Sequence, residues 1–445
     1  MFRRRIYPLG RGGISLPSKK KATNNSEFSN LAIPRLVYIS LKQHIGTPAK
    51  PIVNPGDTVE EGNLIAVGET HISGNIHSPV TGRVVEIAEY PSLYGVSQTI
   101  VIELHGSFTP QSKRELVRNI ETISKHEIPE IVKNAGIVGL GGAAFPTHVK
   151  LLPPVGVKIN TIVINGSECE PYLTVDDMLM KTFPDAIIEG IRIIMKSLDV
   201  QNVVIGIEKD KPKAIKAMKE AASAFKEITV KSLKKRFPQG AEKQLILSTL
   251  GKEIPARGLP MDVGVVVFNV GTAFAIREAV LYDKPLTERY VTVSGDCIRH
   301  PGNYKVKIGT RIADVIEECG GLKKDPVKII LGGPMCGTSV DTAEISVTKG
   351  TSGIIALSKN EVDIKEYKPC IKCGKCVSVC TIGLLPCEIA NAVEVLRYDV
   401  AEKLFPFECI SCGSCAYICP SRRPVNHFIK VACDEIKKRV NLKTG

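Results

Sequence analysis

Cys370-Ile-Lys-Cys373-Gly-Lys-Cys376-Val-Ser-Val-Cys380 has the spacing C-x2-C-x2-C-x3-C, and Cys409-Ile-Ser-Cys412-Gly-Ser-Cys415-Ala-Tyr-Ile-Cys419-Pro420 repeats it. Thiolates at this spacing suit an iron–sulfur cubane. Three cysteines two residues apart wrap one cluster, and the fourth, after a longer step, points away and reaches the other. The expected ligand sets are therefore Cys370, Cys373, Cys376 and Cys419 for one [4Fe–4S], and Cys409, Cys412, Cys415 and Cys380 for the second. Gly374 and Gly413 let backbone amides approach the sulfides. Zinc is the alternative for paired C-x2-C motifs, but two complete four-cysteine copies disfavour it. Thr381 stands where the second copy has Pro420, a change confined to the turn.

Eight of the 14 cysteines are thereby used. Cys169, Cys297, Cys319, Cys336, Cys387 and Cys433 remain, and each reads as a small buried apolar residue, Cys169 being the exception because of its polar neighbours. Met1-Phe-Arg-Arg-Arg leads into Pro, Gly and Ser, not the apolar core of a signal peptide. No apolar run is long enough to span a bilayer. A cytoplasmic chain is expected, in which disulfides would be rare. Lys+Arg exceed Asp+Glu by 59 − 46 = 13. The basic clusters, at Arg3–Arg5, Lys19–Lys21, Lys234–Arg236 and Lys437–Arg439, are scattered and lack interleaved aromatics. Nucleic acid is not expected, and a membrane surface or an acidic electron carrier suits the charge better.

A second group of candidates is rich in glycine. Gly136-Ile-Val-Gly139-Leu-Gly141-Gly142-Ala-Ala-Phe145-Pro-Thr-His-Val-Lys150 follows a predicted helix, so it is not the usual strand-to-helix dinucleotide fingerprint. Its backbone N–H groups and Lys150 can still cradle phosphate, although a purely structural turn fits equally. Downstream, Asn165-Gly-Ser167-Glu168-Cys169-Glu170-Pro171 follows an apolar strand, where α/β folds bind ligands. Asn165 and Ser167 suit a flavin ring or ribityl chain, and Glu168 and Glu170 suit ribose hydroxyls. The plain reading of the same stretch is an Asx-type turn with solvated carboxylates.

These candidates need elements to position them. With 445 residues and 43% hydrophobic content, about three domains are expected. The pattern predicts an arm over 1–30 and a small β unit over 31–110, with short strands broken by Asn54-Pro-Gly-Asp and Ser78-Pro-Val-Thr-Gly. Alternating strands and helices follow over 111–285: helix over 116–135, strand at 161–165, helix over 184–198, strand at 203–207, helix over 211–225 and strand at 263–269. This is an α/β layer with a largely parallel sheet. A further β unit spans 286–345, and the cysteine segment spans 346–445. Apart from that segment there is no internal repeat.

Taken together, Gly139–Lys150, Asn165–Asp177, Phe237-Pro-Gln-Gly-Ala-Glu242 and Asn269-Val-Gly-Thr272 resemble the NADH-oxidising flavoprotein of respiratory complex I. With Gln43-His-Ile-Gly-Thr-Pro-Ala-Lys-Pro and the cysteine repeat, nearly the whole chain is similar to the RnfC family of Rnf complexes. The resemblance implies an α/β multidomain fold. Its parts are a Rossmann-like flavin/NADH domain, an N-terminal lipoyl-like β-sandwich module, a β-grasp (soluble-ligand-binding) domain and a helical 2[4Fe-4S] ferredoxin-like domain. The hairpin tip Thr70–Ile76 lacks a carrier lysine, so the module is expected to dock without a covalent cofactor.

The resemblance further implies FMN held by Gly139, Gly141, Gly142, Lys150, Asn165, Ser167, Asn269 and Thr272. It places NADH near Phe145, Glu168 and Glu242, with Glu168 as the catalytic candidate and Glu170 among the cofactor-binding residues. Ala144 and His148 stand where the flavoprotein has glycine, Ser167 for Asp, Cys169 for Ser and Ala241 for Glu. A flavin joins a two-electron hydride to one-electron clusters. The implied function is a peripheral subunit on the cytoplasmic face of the cell membrane. It would pass electrons between NAD(H), FMN and two clusters, with ferredoxin reached through partner subunits that move Na+ or H+. A soluble NADH-dependent cobalamin reductase, or a cluster relay with a vestigial flavin site, are the competing readings.

Overall fold

The computed structural model describes residues 12–105 and 117–444. The Arg3–Arg5 cluster and the expected boundary near residue 110 lie outside them.

The N-terminal module is two small antiparallel sheets face to face. One has the strand order 36–40, 95–104, 82–92, 58–59, and the other 50–51, 64–67, 76–77. Alternating residues such as Val37, Ile39, Val84, Ile100 and Ile102 point inward and close an apolar core. The expected hairpin tip is only half presented to solvent: Thr70, His71 and Ile72 are exposed. Ser73 and Asn75 are buried, and the backbone N–H of Gly74 donates to His44 Nε2 at 3.0 Å. The tip rests on the α/β domain that follows, where His148 Nε2 lies 3.3 Å from the His71 carbonyl and the two rings meet edge to face.

The central domain is a four-stranded, fully parallel sheet, in the order 228–233, 203–208, 161–165, 265–269. The strands 161–165, 203–208 and 265–269 are near-continuous apolar runs because helices cover both faces, while the edge strand 228–233 exposes Thr229, Lys231 and Ser232. The helices Pro184–Leu198 and Val270–Tyr282 pack tightly on each other because Gly190 has no Cβ; one there would sit 1.9 Å from the Ala273 carbonyl oxygen. The helix expected over 116–135 is much shorter. It covers Ile128–Asn134, with Pro129 in its first turn, while Glu121 and Ser124 fold into side-chain-capped turns that compete with helix.

The third unit is a six-stranded mixed sheet in the order 28–30, 302–307, 288–294, 353–357, 328–331, 338–340. It takes one strand from the expected arm and one from the expected cysteine segment, so it extends beyond 286–345 at both ends. The last unit is helical and built around Val425–Thr444. No described helix is long and apolar enough to cross a membrane.

Lys349 ties three of these units together. Its side chain is fully buried, and Nζ donates to the carbonyls of Asn75 (2.5 Å) and Gly136 (2.7 Å). Its own N–H reaches Gln43 Oε1. With no carboxylate beside it among the described residues, burial lowers its pKa to about 7. A folded-state pKa below the ordinary one makes neutral Lys349 the better fit. Stability at this junction is thus full above the ordinary lysine pKa and is lost as pH falls toward 7. Lys349→Met strands two buried carbonyls and should cost about 1–3 kcal/mol at pH 10. It should cost less at pH 6, where the wild type itself carries the buried charge. Urea midpoints at the two pH values check this.

Candidate functional site

The carboxyl ends of the parallel strands carry Asn165, Glu208 and Asn269. Asn269 caps the helix Val270–Tyr282, its Oδ1 accepting the Gly271 N–H at 2.7 Å. Its Nδ2 donates to Asp176 Oδ2. The glycine loop folds over this end. The Gly139 N–H donates to the Phe145 carbonyl at 2.8 Å, and the Leu140 N–H to Thr272 Oγ1 at 2.9 Å. A Cβ on Gly141 would stand 2.3 Å from Asn269 Nδ2, whereas Gly142 faces open space. Buried Arg289 supports the loop from behind, donating to the Leu140 and Thr351 carbonyls. Lys150 Nζ donates to the Val267 carbonyl and pairs with Glu242 at 3.2 Å. The structure thus brings the loop, Lys150, Glu242, Asn165, Asn269 and Thr272 to one sheet edge. The bare glycine backbone, open at Gly142 beside an ammonium, fits a phosphate-bearing cofactor.

The acidic turn is the expected Asx-type turn, but its carboxylates are not the solvated ones that the plain reading expected. Asn165 Oδ1 accepts the Ser167 N–H, and its Nδ2 donates to the Gly240 carbonyl. Ser167 is fully buried. The Glu168 side chain is only 3% exposed. Its oxygens accept the N–H groups of Asp176 (2.7 Å) and Asp177 (3.3 Å), capping the helix Val175–Thr182, and Lys20 Nζ lies 3.8 Å away. Burial raises the Glu168 pKa to about 7, against the pull of Lys20. Glu170 accepts the Met335 and Cys336 N–H groups. Neither carboxylate is solvated, and each is already committed to backbone amides. Cys169 accepts the Gly240 N–H at 3.3 Å, and burial pushes its thiol up to about 12.

Several members of this polar layer escaped sequence reading. Lys20 belongs to a strap, residues 12–23, that crosses the turn: Ile14 pairs with Phe237, Ser18 accepts from Tyr172, and Lys20 donates to the Glu168 carbonyl. Lys211, almost fully buried, bridges Glu208 and the Ser167 carbonyl. Glu208 had one readable signal, a carboxylate closing an apolar strand.

The cysteines fall into two rings. Cys370, Cys373, Cys376 and Cys419 line one cavity, and Cys380, Cys409, Cys412 and Cys415 line another. The two copies fold alike. Lys372 and Ser411 both take left-handed backbone, and their N–H groups lie 3.4 Å from Cys370 Sγ and Cys409 Sγ respectively. Gly374 and Gly413 share a φ of 72°. Among the described residues no three His, Cys, Asp or Glu side chains converge as a single metal ion requires. The thiols instead surround a space, and an almost fully buried guanidinium, Arg423, lines the first ring with its Nε lacking a hydrogen bond. A buried cation beside four thiols fits an anionic cluster. Of the other cysteines, Cys297 and Cys319 are buried, but Cys336 is exposed and Cys387 lines the first cavity.

Family models match along the chain. They describe an RnfC barrel sandwich hybrid domain over 10–107, a Nuo51 FMN-binding domain over 132–278, an SLBB domain over 290–339 and a 4Fe-4S dicluster domain over 362–420. Among curated relatives, the C component of the proton-translocating ferredoxin:NAD(+) oxidoreductase complex of Clostridium ljungdahlii is 45% identical, over 84% of this chain and 82% of its own. The Na(+)-translocating counterpart of Acetobacterium woodii is 42% identical over 96% of each chain. The C component of the ion-translocating oxidoreductase complex of Rhodobacter capsulatus is 40% identical, over 88% of this chain and 76% of its own. The chain belongs to the RnfC family.

Two of the RnfC chain's departures from the flavoprotein pattern now have a place. His148 meets the tip of the N-terminal module. Ala144 is buried at φ 55°, a backbone that favours glycine. Because a Cβ at 141 collides with the capping Asn269, Gly141→Ala should displace that side chain and cost roughly the worth of an N-cap, about 0.5–2 kcal/mol. A thermal melt of the variant beside Ala143→Gly, a change on the exposed face of the same loop, would separate this clash from general loop sensitivity.

Proposed function

We propose that this RnfC-family chain is the NAD(H)-reacting subunit of an ion-translocating ferredoxin:NAD+ oxidoreductase, passing electrons between two [4Fe–4S] clusters, FMN and NAD(H). One observation carries the reading. The second cysteine ring is packed against the flavin-type domain. The Thr381 carbonyl faces Gln244 Nε2 at 3.4 Å, Glu408 pairs with Lys243, and the Met335 carbonyl abuts Gly413, while the neighbouring Cys336 N–H binds Glu170. The second ring and the flavin-type domain are thus in direct contact, as a chain of electron carriers requires.

The Gly139–Phe145 backbone and Lys150 would hold the FMN phosphate, and Asn165, Ser167, Asn269 and Thr272 would fix the polar edge of the site. Phe145 and Glu242 lie on the side assigned to NAD(H), with Glu170 among the cofactor-binding residues. When bound, the flavin supplies exchange between a two-electron hydride and single electrons. Glu168 acts by position: it holds the amino end of the helix Val175–Thr182 beneath Asn269, through Asp176. The lipoyl-like module docks through its tip and carries no cofactor. Attachment to the membrane is peripheral, through partner subunits at its cytoplasmic face, and ferredoxin delivers electrons through them.

Anaerobic purification should yield about one FMN and about eight irons per chain, with NADH bleaching the flavin bands. Cys419→Ser and Cys380→Ser should each leave about four irons, because each removes the fourth ligand of one cluster. Eight irons without flavin would instead support a cluster relay.

A further inference from the structure

The two cysteine rings are copies in backbone and ligand, so their other lining residues can be compared position by position. Before the first cysteine stands Pro369 in one copy and Glu408 in the other; Glu408 is buried. Two residues after it stand Lys372 and Ser411. Five residues after it stand Lys375, which is exposed, and Ser414, which is buried. Four residues past the cysteine that crosses between rings stand Arg423, lining the first cavity, and Leu384, lining the second. Every difference has the same sign. The Cys370 ring is cationic, and the Cys409 ring is neutral or acidic.

Arg423 is the strongest of these groups. Its side chain is 1% exposed, and its counter-ion, Glu394, stands 2.7 Å from Nη2 on the outer side with a third of its side chain in solvent. The Phe428 ring closes one face of the guanidinium. Nε is left without a hydrogen bond among the described residues. A charge this deep acts on its neighbours through a low dielectric, whereas Lys372 and Lys375 are screened by water and salt.

Resting on the assignment of clusters to these rings, we propose that the two clusters have unequal potentials, the Cys370 cluster the higher, and that Arg423 sets most of the gap. Reduction adds one electron to a cluster already negative, so a fixed cation beside it stabilises the reduced form and raises its potential. The Cys409 ring, pressed on the flavin-type domain, has Leu384 at the place of Arg423, and the lysine on its Glu408 side, Lys243, is offset by pairing with that carboxylate at 3.4 Å. Electrons therefore rest on the solvent-facing ring, where Cys373, Lys372 and Lys375 are exposed, and pass inward through a centre of lower potential.

The test is a mediated potentiometric titration of the full anaerobic chain, read by EPR. The wild type should show two separate one-electron steps. Arg423→Gln should move the upper step to lower potential and leave the lower step in place, and Arg423→Lys should largely restore it. Lys372→Ser with Lys375→Ser, which copies the second ring on exposed positions, should move the upper step down by a smaller amount. If Arg423→Gln loses half its iron, the lysine pair decides alone. Two coincident steps in the wild type would overturn the proposal. So would unmoved steps, or movement of the lower step only, in variants that keep about eight irons. A wild-type chain that binds no iron would instead remove the cluster assignment itself.

Discussion

A lysine amine buried among backbone carbonyls is the constraint on which the rest of this molecule hangs. Lys349 gives two hydrogen bonds, one to the N-terminal module at Asn75 and one to the glycine-loop domain at Gly136. It sits within the mixed-sheet unit, between the strands 338–340 and 353–357. A buried lysine without a carboxylate is expensive, and its burial is tolerable only because both carbonyls would otherwise be orphaned too. The pairing makes the three units interdependent, and a protein that moves electrons between fixed centres needs that rigidity.

The same logic governs the strand ends. Buried charges there come in sets that satisfy one another: Glu168 with two helix amides and Lys20, Lys211 with Glu208 and the Ser167 carbonyl, Arg289 with two carbonyls over Asp176. Each set anchors a loop that faces the open edge. The polar groups that face a cofactor are thereby held by polar groups that do not.

What was legible in the sequence follows from how local the physics is. Cluster ligands are fixed by spacings of two and three residues, so both rings could be written down from the repeat. Helix Pro184–Leu198 and the Val/Ile strands announced themselves by period. Lys20 and Arg423 did not, because a buried cation is indistinguishable from a solvated one until the fold brings its neighbours together. The acidic turn was legible as an Asx-type turn, but the partners of its carboxylates were not, for a related reason. Its carboxylates were weighed against solvent or ligand, while their actual partners were amides at Asp176 and Cys336. The arm looked irregular because its bonds are to distant segments, and the mixed sheet overran its expected limits because its edge strand is borrowed from that arm.

The strap also sets a timetable. Gly13 bonds the carbonyl of Val379, one residue from Cys380, and Ile14 pairs with Phe237. A stretch that leaves the ribosome early must therefore wait for one made late before it can settle. Until the cysteine segment has been made, the strap holds to Glu168, Tyr172 and Phe237 but lacks its bond at Gly13. The half-synthesised chain is thus left with an unfinished redox edge, and finishing the cysteine segment finishes the strap as well.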